Sequence, residues 1–427
     1  IESVLGQTFC RVELILADGS FDDSVEKVVK EYAASDDRIR YKRLAENKGI
    51  SENTNEGLKM ATGDYIGLLD HDDLLELHAL YEMRMAIAKN PEADVLYSDE
   101  DKVSFDLTHY FEPHFKPDFN PDLLRSNNYI CHFLVFKREL LEKVGGFRPE
   151  YDGAQDFDLV LRLTENAKSI VHIPKVLYHW RSHEASTATN PMSKLYAYEA
   201  GKRAVEDHLK RCGETAVVTD TRFYGFYQTN YEMCDKMSVD IVLCSCAGEN
   251  HKKILNNFSS DLHRQKTGNV IYYDNGFNKF VIFNKDKELS GEVVLFADAE
   301  LTGMSGEALM QLAVNCLRND VGMAGGRILS NKGELLYGRM EPEKSGKLVH
   351  ADAGLPKGFT GYFHKAILQQ NTEGVSHHLF AVRKELFDAW KPEGDGTSEE
   401  LMLQLCAFVK EQGYRISYVP IATAQMK

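Results

Sequence analysis

Short apolar runs alternate with amphipathic segments through the first half of the chain, and no other feature restricts the fold as much. "VELILA" (Val12 to Ala17) reads as a strand and Ser24 to Ala34 as a helix with Val25, Val28 and Val29 on one face. "RIRYKRL" reads as a second strand, Ile50 to Ala61 as a second helix, and "DYIGLLD" as a third strand. Strands and helices in turn imply an α/β fold around a mostly parallel sheet. The third strand ends in the acidic run "DHDD", and "ADVLYSDED" is another apolar strand that ends in acids, Asp99, Glu100 and Asp101. Ligands of such sheets bind at the carboxyl ends of strands, so both acidic runs stand where a site would form.

A length of 427 residues exceeds what one core usually holds, which implies two domains. A net charge of −15 argues against nucleic-acid binding, which needs clustered Lys and Arg. Of the eight cysteines only Cys244 and Cys246 lie close together, a spacing that gives neither a zinc site nor a disulfide framework and fits a reducing cytoplasm. No apolar run approaches the ~18 residues of a membrane span, and no signal-peptide pattern is present. The opening "IESVLGQTF" reads as the middle of a helix.

Asp70 and Asp72 at the end of a strand could hold a hard divalent cation, Mg or Mn, through oxygen ligands and leave positions open for a diphosphate. Such an ion stabilises the negative charge of a departing phosphate. Equally, Asp72 or Asp73 could cap a helix spanning Leu74 to Lys89. From the motif alone both readings stand.

Seven stretches occur in order: "ADGS" at Ala17, "NKGIS" at Asn47, "ATGDYIGLLDHDD", "YSDEDK" at Tyr97, "GGF" at Gly145, "GAQDFDLVLRL" at Gly153 and "VLYHWRSHEASTA" at Val176. In this set the chain resembles family 2 glycosyltransferases of the GT-A type, inverting enzymes with a Rossmann-like fold that build bacterial surface polysaccharides. The resemblance implies a nucleoside-diphosphate sugar donor of the UDP or dTDP type and a glycan or lipid-linked acceptor. It implies that Asp18 contacts the nucleoside, with Ala17 where many relatives carry an acid, and that Asn47, Lys48 and Gly49 face a phosphate. Asp70 would serve donor and metal, Asp72 the metal, and His179 or His183 would complete the metal shell. Arg181 would contact phosphate through its forked, always charged donors.

An inverting transfer needs a base that removes the acceptor hydroxyl's proton as it attacks the anomeric carbon. Asp156 matches that base by resemblance, on a helix whose leucines fill core and whose rigidity positions the carboxylate. Burial and nearby Asp158 are expected to raise its pKa. Asp73, Asp99, Asp101, Gln155 and Trp180 are supporting or acceptor candidates. His109 and His114 lie in or beside the Pro- and Phe-rich stretch "EPHFKPDFNPDLL" and read as surface or packing residues.

After Tyr231 the pattern restarts. "SVDIVLCSCAGEN" and "GEVVLFADAELT" resemble a first strand and a metal-bearing strand, but only Asp298 clearly remains of the metal acids, and Glu399 and Glu400 stand where the base motif belongs. The expected organisation is therefore two tandem GT-A-type domains: residues 1–230 as the transferase domain, 231–238 as a linker, and 239–427 as a second, noncatalytic one. Relatives begin with a strand and loop that have no counterpart before Ile1, so the first domain is expected to lack its initial strand and the sequence to be a stretch of a longer protein. The rival function is a noncatalytic glycan-binding or scaffold protein; intact "DHDD" and "QDFD" weigh against it. The expected location is the cytoplasm, with peripheral contact at the inner membrane face compatible with lipid-linked acceptors.

Overall fold

The computed structural model describes residues 1–182, 195–232, 237–244, 270–273, 289–298, 300–394 and 396–426. The chain divides into two units. The first comprises Ile1–Asn120, Asn127–Gly213 and Asp220–Tyr227; the second comprises Pro121–Ser126, Glu214–Thr219 and Gln228–Lys427. A single boundary near residue 230 does not anticipate this interleaving, in which two short segments ahead of that boundary belong to the second unit.

The first unit begins with α1 (Glu2–Leu5), β1 (Leu14–Asp18), α2 (Ser24–Ala33), β2 (Ile39–Arg43), α3 (Ile50–Leu58), β3 (Tyr65–Gly67), β4 (Leu74–Leu75), α4 (Ala79–Lys89), β5 (Val95–Val103) and β6 (Tyr110–His114). Helix α5 (Pro121–Ser126) belongs to the second unit. The first unit continues with β7 (Leu134–Lys137), α6 (Arg138–Val144), α7 (Gln155–Asn166), β8 (Ile170–Arg181) and α8 (Leu195–Arg211). Its main sheet has the order β3, β7, β5, β8, β4, with β6 on β5. The sheet is mixed: β5 and β8 run parallel, while β7 inserts antiparallel between β3 and β5. Strands β1 and β2 form a separate parallel pair.

Leu74 and Leu75 do not open a helix, as their apolar run suggests, but pair antiparallel with His179 and Tyr178, and the helix starts only at Ala79. Leu75, Ala79, Met83, Leu96, Phe133, Val135 and Tyr178 pack into one buried cluster. Helix α7 places Leu159 and Leu163 on one face, both fully buried, as the 3.6-residue period requires.

A hairpin of β9 (Ala216–Asp220) and β10 (Tyr227–Tyr231) follows. Next come β11 (Val239–Cys244), β12 (Val270–Tyr273), β13 (Val293–Asp298), α9 (Gly306–Cys316), β14 (Val321–Ser330), β15 (Leu335–Tyr337), β16 (Met340–Pro342) and β17 (Leu348–His350). Strand β18 (Gln370–Thr372), β19 (Leu379–Arg383), α10 (Lys384–Ala389), α11 (Ser398–Glu411) and β20 (Arg415–Met426) complete the second unit. Its sheet has the order β12, β11, β13, β19, β14, β20, β18, with β15 on β14. From β13 to β20 this is the order of β3, β7, β5 and β8 in the first unit; the edge strand differs, because β18 follows β14 in the chain whereas β4 precedes β5. In the second unit β11 joins β12 to β13, whereas no strand among the described residues joins β1 to β3.

Candidate active site

The site of the first unit grows from the antiparallel pairing of β3 with β7. Tyr65 faces Lys137, Ile66 faces Phe136 and Gly67 faces Val135. Continuing that register beyond the last pair brings Asp70 opposite His132, and a ligand atom each of Asp70, Asp73 and His132 lies within 4.8 Å of the others. Asp70 is exposed and Asp73 buried. The Tyr178 hydroxyl donates to Asp73 Oδ2 at 2.5 Å, and the Arg181 backbone N–H donates to Oδ1 at 2.8 Å. The His132 ring stacks on Tyr178 at 4.5 Å, which fixes the imidazole plane. Burial pushes the Asp73 carboxyl up to about 6, against the hydrogen bonds from Tyr178 and Arg181. Two carboxylates and an imidazole form a mixed oxygen and nitrogen set that fits a divalent cation.

Asp156 stands in the first turn of α7, where helix polarity favours a negative group. Its carboxyl is enclosed, and burial raises its pKa, with Asp70 adding to the rise and His132 opposing it. The charges that it senses are therefore those of the Asp70 and His132 cluster. Asn128 Nδ2 donates to Asp156 Oδ2 at 2.9 Å and orients it. A carboxyl held above its ordinary range, on a rigid helix beside a cation-type cluster, can accept a proton near neutral pH.

Residues 1–145 match the sequence model of the family described as "Glycosyl transferase family 2". The chain carries a family 2 glycosyltransferase domain. An uncharacterised Sinorhizobium fredii protein, y4gI, is 33% identical over 99% of this chain and 50% of its own length. The O-antigen biosynthesis protein RfbC of Myxococcus xanthus is 31% identical over 100% of this chain and 35% of its own length. The chain thus spans half or less of the length of these two relatives. A crystal structure of S. aureus TarS 1-349 in complex with UDP aligns at a TM-score of 0.38 and 18% identity, over 49% of this chain and 60% of that one. No helix among the described residues is long and apolar enough to cross a membrane.

In the first unit the other expected site residues have these surroundings. Asp18 ends β1 and accepts from Ser20 N–H at 2.8 Å, the Tyr41 hydroxyl at 2.7 Å and Arg43 at 2.8 Å. Burial opposes its ionisation, yet these bonds prevail and hold its pKa at about 2. Asn47 and Lys48 are exposed; Asn47 Oδ1 accepts from Gly49 N–H, and Lys48 pairs with Glu46 at 3.1 Å. Gly49 adopts φ 96°, the left-handed region that favours glycine, at the start of α3. Arg181 Nε is buried with no hydrogen-bond partner among the described residues, so it keeps a donor for an anion.

Several expectations need correction. Asp72 lies outside the Asp70, Asp73 and His132 group, and buried Asp73 takes its place. His179 is also outside it: Nδ1 meets Asp101 at 2.6 Å and Nε2 meets Glu76 at 3.3 Å, so both ring nitrogens are committed. Burial disfavours its protonation, but the two carboxylates outweigh this and raise its pKa. His183 lies outside the described residues. Asp99 accepts from Lys116 N–H at 2.8 Å and meets His172 at 2.9 Å, a structural anchor. Asp158 does not lift Asp156: fully buried, it is neutralised by Arg148 and Arg162. Gln155 Oε1 accepts from Gly153 N–H, and Trp180 lies edge-on to His132 at 6.1 Å, under the Lys102 ammonium.

His132, Tyr178 and Asn128 were not singled out in the sequence; only strand pairing and the chain's return beside α7 bring them to the aspartates. Other motif residues prove to be fasteners. The Asn55 amide donates to Phe147 O and accepts from Phe147 N–H, each at 2.8 Å, and a Cβ on Gly146 would lie 2.3 Å from Asn55 Oδ1. Ser51 Oγ donates to Asp152, tying the start of α3 to the turn before α7. In the second unit Glu400 is a fastener too: with Thr397 it forms a reciprocal capping box on α11, and hydrogen bonds from Thr397 lower its pKa.

Proposed function

We propose that the first unit transfers a sugar, with inversion, from a nucleoside-diphosphate sugar to a glycan or lipid-linked glycan acceptor in cell-surface polysaccharide synthesis. The observation that carries this reading is the raised carboxyl of Asp156 beside the Asp70, Asp73 and His132 group. The likeness to an O-antigen biosynthesis protein supports the polysaccharide class.

In this reading Asp156 takes the proton of the acceptor hydroxyl, whose oxygen forms a bond to the anomeric carbon as the bond from that carbon to the diphosphate oxygen breaks on the opposite face. Asn128 orients the carboxylate, and α7 holds it at attack distance. Asp70, Asp73 and His132 would hold a divalent cation, Mg or Mn, which neutralises charge on the departing diphosphate as a Lewis acid. Arg181 Nε and Lys48 donate to phosphate oxygens, and Asp18 borders the nucleoside. Trp180 offers the acceptor an apolar face. The second unit is noncatalytic: Glu400, where a base would stand, is spent on its helix cap.

The test incubates the full chain with UDP- and dTDP-linked sugars, with and without Mn, and measures released nucleoside diphosphate. Metal-dependent release that Asp156→Asn suppresses is expected. No release with any donor, together with no thermal shift from Mn plus UDP or dTDP, favours the noncatalytic glycan-binding reading instead.

A further inference from the structure

The two units carry different residues at one matched place in their sheets. Strand β19 pairs antiparallel with β13 as β7 does with β3, and one step past the pair of Ala297 and Leu379 the Asp298 N–H donates to the His378 carbonyl at 2.8 Å. Asp298 opposite His378 thus matches Asp70 opposite His132. In the same register Leu96 faces Val135 and Ala324 faces Ala381. Further along these strands Glu100 pairs with Tyr178 and Ile328 with Ala424. Glu100 of β5 and Ile328 of β14, at the same spacing from Leu96 and Ala324, are therefore counterparts. Ile328 is fully buried, the ordinary filling of such a place.

Glu100 brings a charge to that place, and its partner is Lys116, whose side chain has no exposed surface. The Lys116 ammonium donates to Glu100 Oε2 at 3.2 Å, to the Ile130 carbonyl at 2.7 Å and to the His132 carbonyl. Glu100 Oε2 also accepts from the His132 N–H at 3.2 Å, and Oε1 lies 3.5 Å from His114 Nδ1. The N–H and the carbonyl of His132 both end on this one ion pair. Between the two bonded carbonyls Cys131 adopts φ 36°, a left-handed conformation that persists only where the surroundings enforce it. A buried ion pair costs the desolvation of two charges, and apolar residues of similar volume serve stability as well or better. Ile328 shows that the sheet needs no charge at this place. What the pair does, and an isoleucine cannot, is grip the backbone of His132 while the stacked Tyr178 holds its ring.

We propose that Glu100 and Lys116 are positioning residues: they fix the backbone of His132 so that its imidazole stands within ligating reach of Asp70 and Asp73. The effect on metal affinity rests on the reading of those three residues as a divalent-cation group; the positioning itself does not. Outer partners that orient a ligand set the affinity of the site without touching the ion.

The test uses the full, metal-free chain with isotope-labelled histidine, the His132 ring signal being the one that disappears in His132→Gln. The deciding variant combines Glu100→Ile with Lys116→Met and gives the first unit the apolar filling of the second. It is expected to fold with a urea midpoint at or above the parent's, while the His132 signal leaves the position that stacking on Tyr178 gives it. Mn affinity, read from the resonance of the free ion, should fall by about 10- to 100-fold. Glu100→Gln, which keeps the volume and removes the charge, should move the same signal in the same direction by less. On the His132→Gln background the double change should weaken Mn binding no further, because it acts through that ring. A double variant that unfolds makes the pair a requirement of the fold and overturns the proposal. So does a folded one with the parent's His132 signal, and so does a loss of Mn affinity that persists in full without His132. If the parent takes up no Mn, the cation reading fails on its own, and the ring signal still decides the positioning.

Discussion

The two units share a sheet order and an aspartate opposite a histidine, yet treat the helix that follows in opposite ways. Helix α7 begins at Ala154 with no side-chain cap and exposes its first turn to Asp156. Helix α11 begins at Thr397, whose hydroxyl accepts from Glu400 N–H while the Glu400 carboxylate returns the bond. An acid that closes a capping box is committed to backbone donors and has its proton affinity lowered; an acid left out of the cap and buried has it raised. The comparison teaches that a helix start either fastens its acid or leaves it with a raised proton affinity, according to whether a Thr precedes it.

The largest effect expected is on turnover. Asp156→Asn should lower transfer by about 10²- to 10⁴-fold with donor binding retained, while Glu400→Gln leaves transfer unchanged. If Glu400→Gln abolishes transfer and Asp156→Asn does not, the contrast is reversed. Next, Asp70→Asn should remove metal-dependent donor binding with little change in fold, and Asp298→Asn should leave it intact; calorimetric titration of Mn with UDP reads both.

A third prediction sharpens the comparison on stability. Asp122, fully buried in the second unit, accepts from Arg318 at 2.5 and 3.0 Å, from Ser417 at 2.8 Å and from Asn371 at 3.1 Å. Asp122→Asn removes the nearest countercharge of Arg318, leaving Glu214 at 3.5 Å and Asp320 at 3.9 Å, and should cost about 3–5 kcal/mol by urea unfolding. Asp158→Asn, against Arg148 and Arg162, should cost the first unit a similar amount, and equal unfolding midpoints for variants and parent would contradict both. The smallest effect is a pH dependence. His179 has a folded pKa above its unfolded value of about 6.5, so its contribution is full below that value and fades as pH rises through the folded one. The stability gap between the parent and His179→Gln should therefore be wider at about pH 6 than at about pH 9.

The strands β1, β2, β3 and β5 were legible because each is a short apolar or alternating run, a signal carried by neighbouring residues alone. Two-residue β4 was not, since Leu74 and Leu75 fit the opening of a helix equally well. The site divides in the same way. Asp70, Asp156 and Arg181 stand out as motif residues, but which acid lies beside Asp70 and His132 does not: it is Asp73, which accepts from the Tyr178 hydroxyl and the Arg181 N–H. His132 stayed hidden because only the antiparallel insertion of β7 carries it to the acids. Asp158 looked like a partner of Asp156 because sequence spacing shows neighbours and conceals the arginines that neutralise it.

The placement of α5 in the second unit has a consequence for how the molecule comes into being. Asp122 leaves the ribosome 196 residues ahead of Arg318 and 295 ahead of Ser417, the groups that enclose it. Until both have emerged, its charge stays in water, so the second unit cannot finish folding around it before nearly the whole chain has been made. Closing so long a loop is slow relative to local pairing. The nascent chain therefore carries a waiting segment, and a gene cut at the apparent midpoint would yield a second half in which Arg318 keeps Glu214 and Asp320 but loses its nearest anion, Asp122.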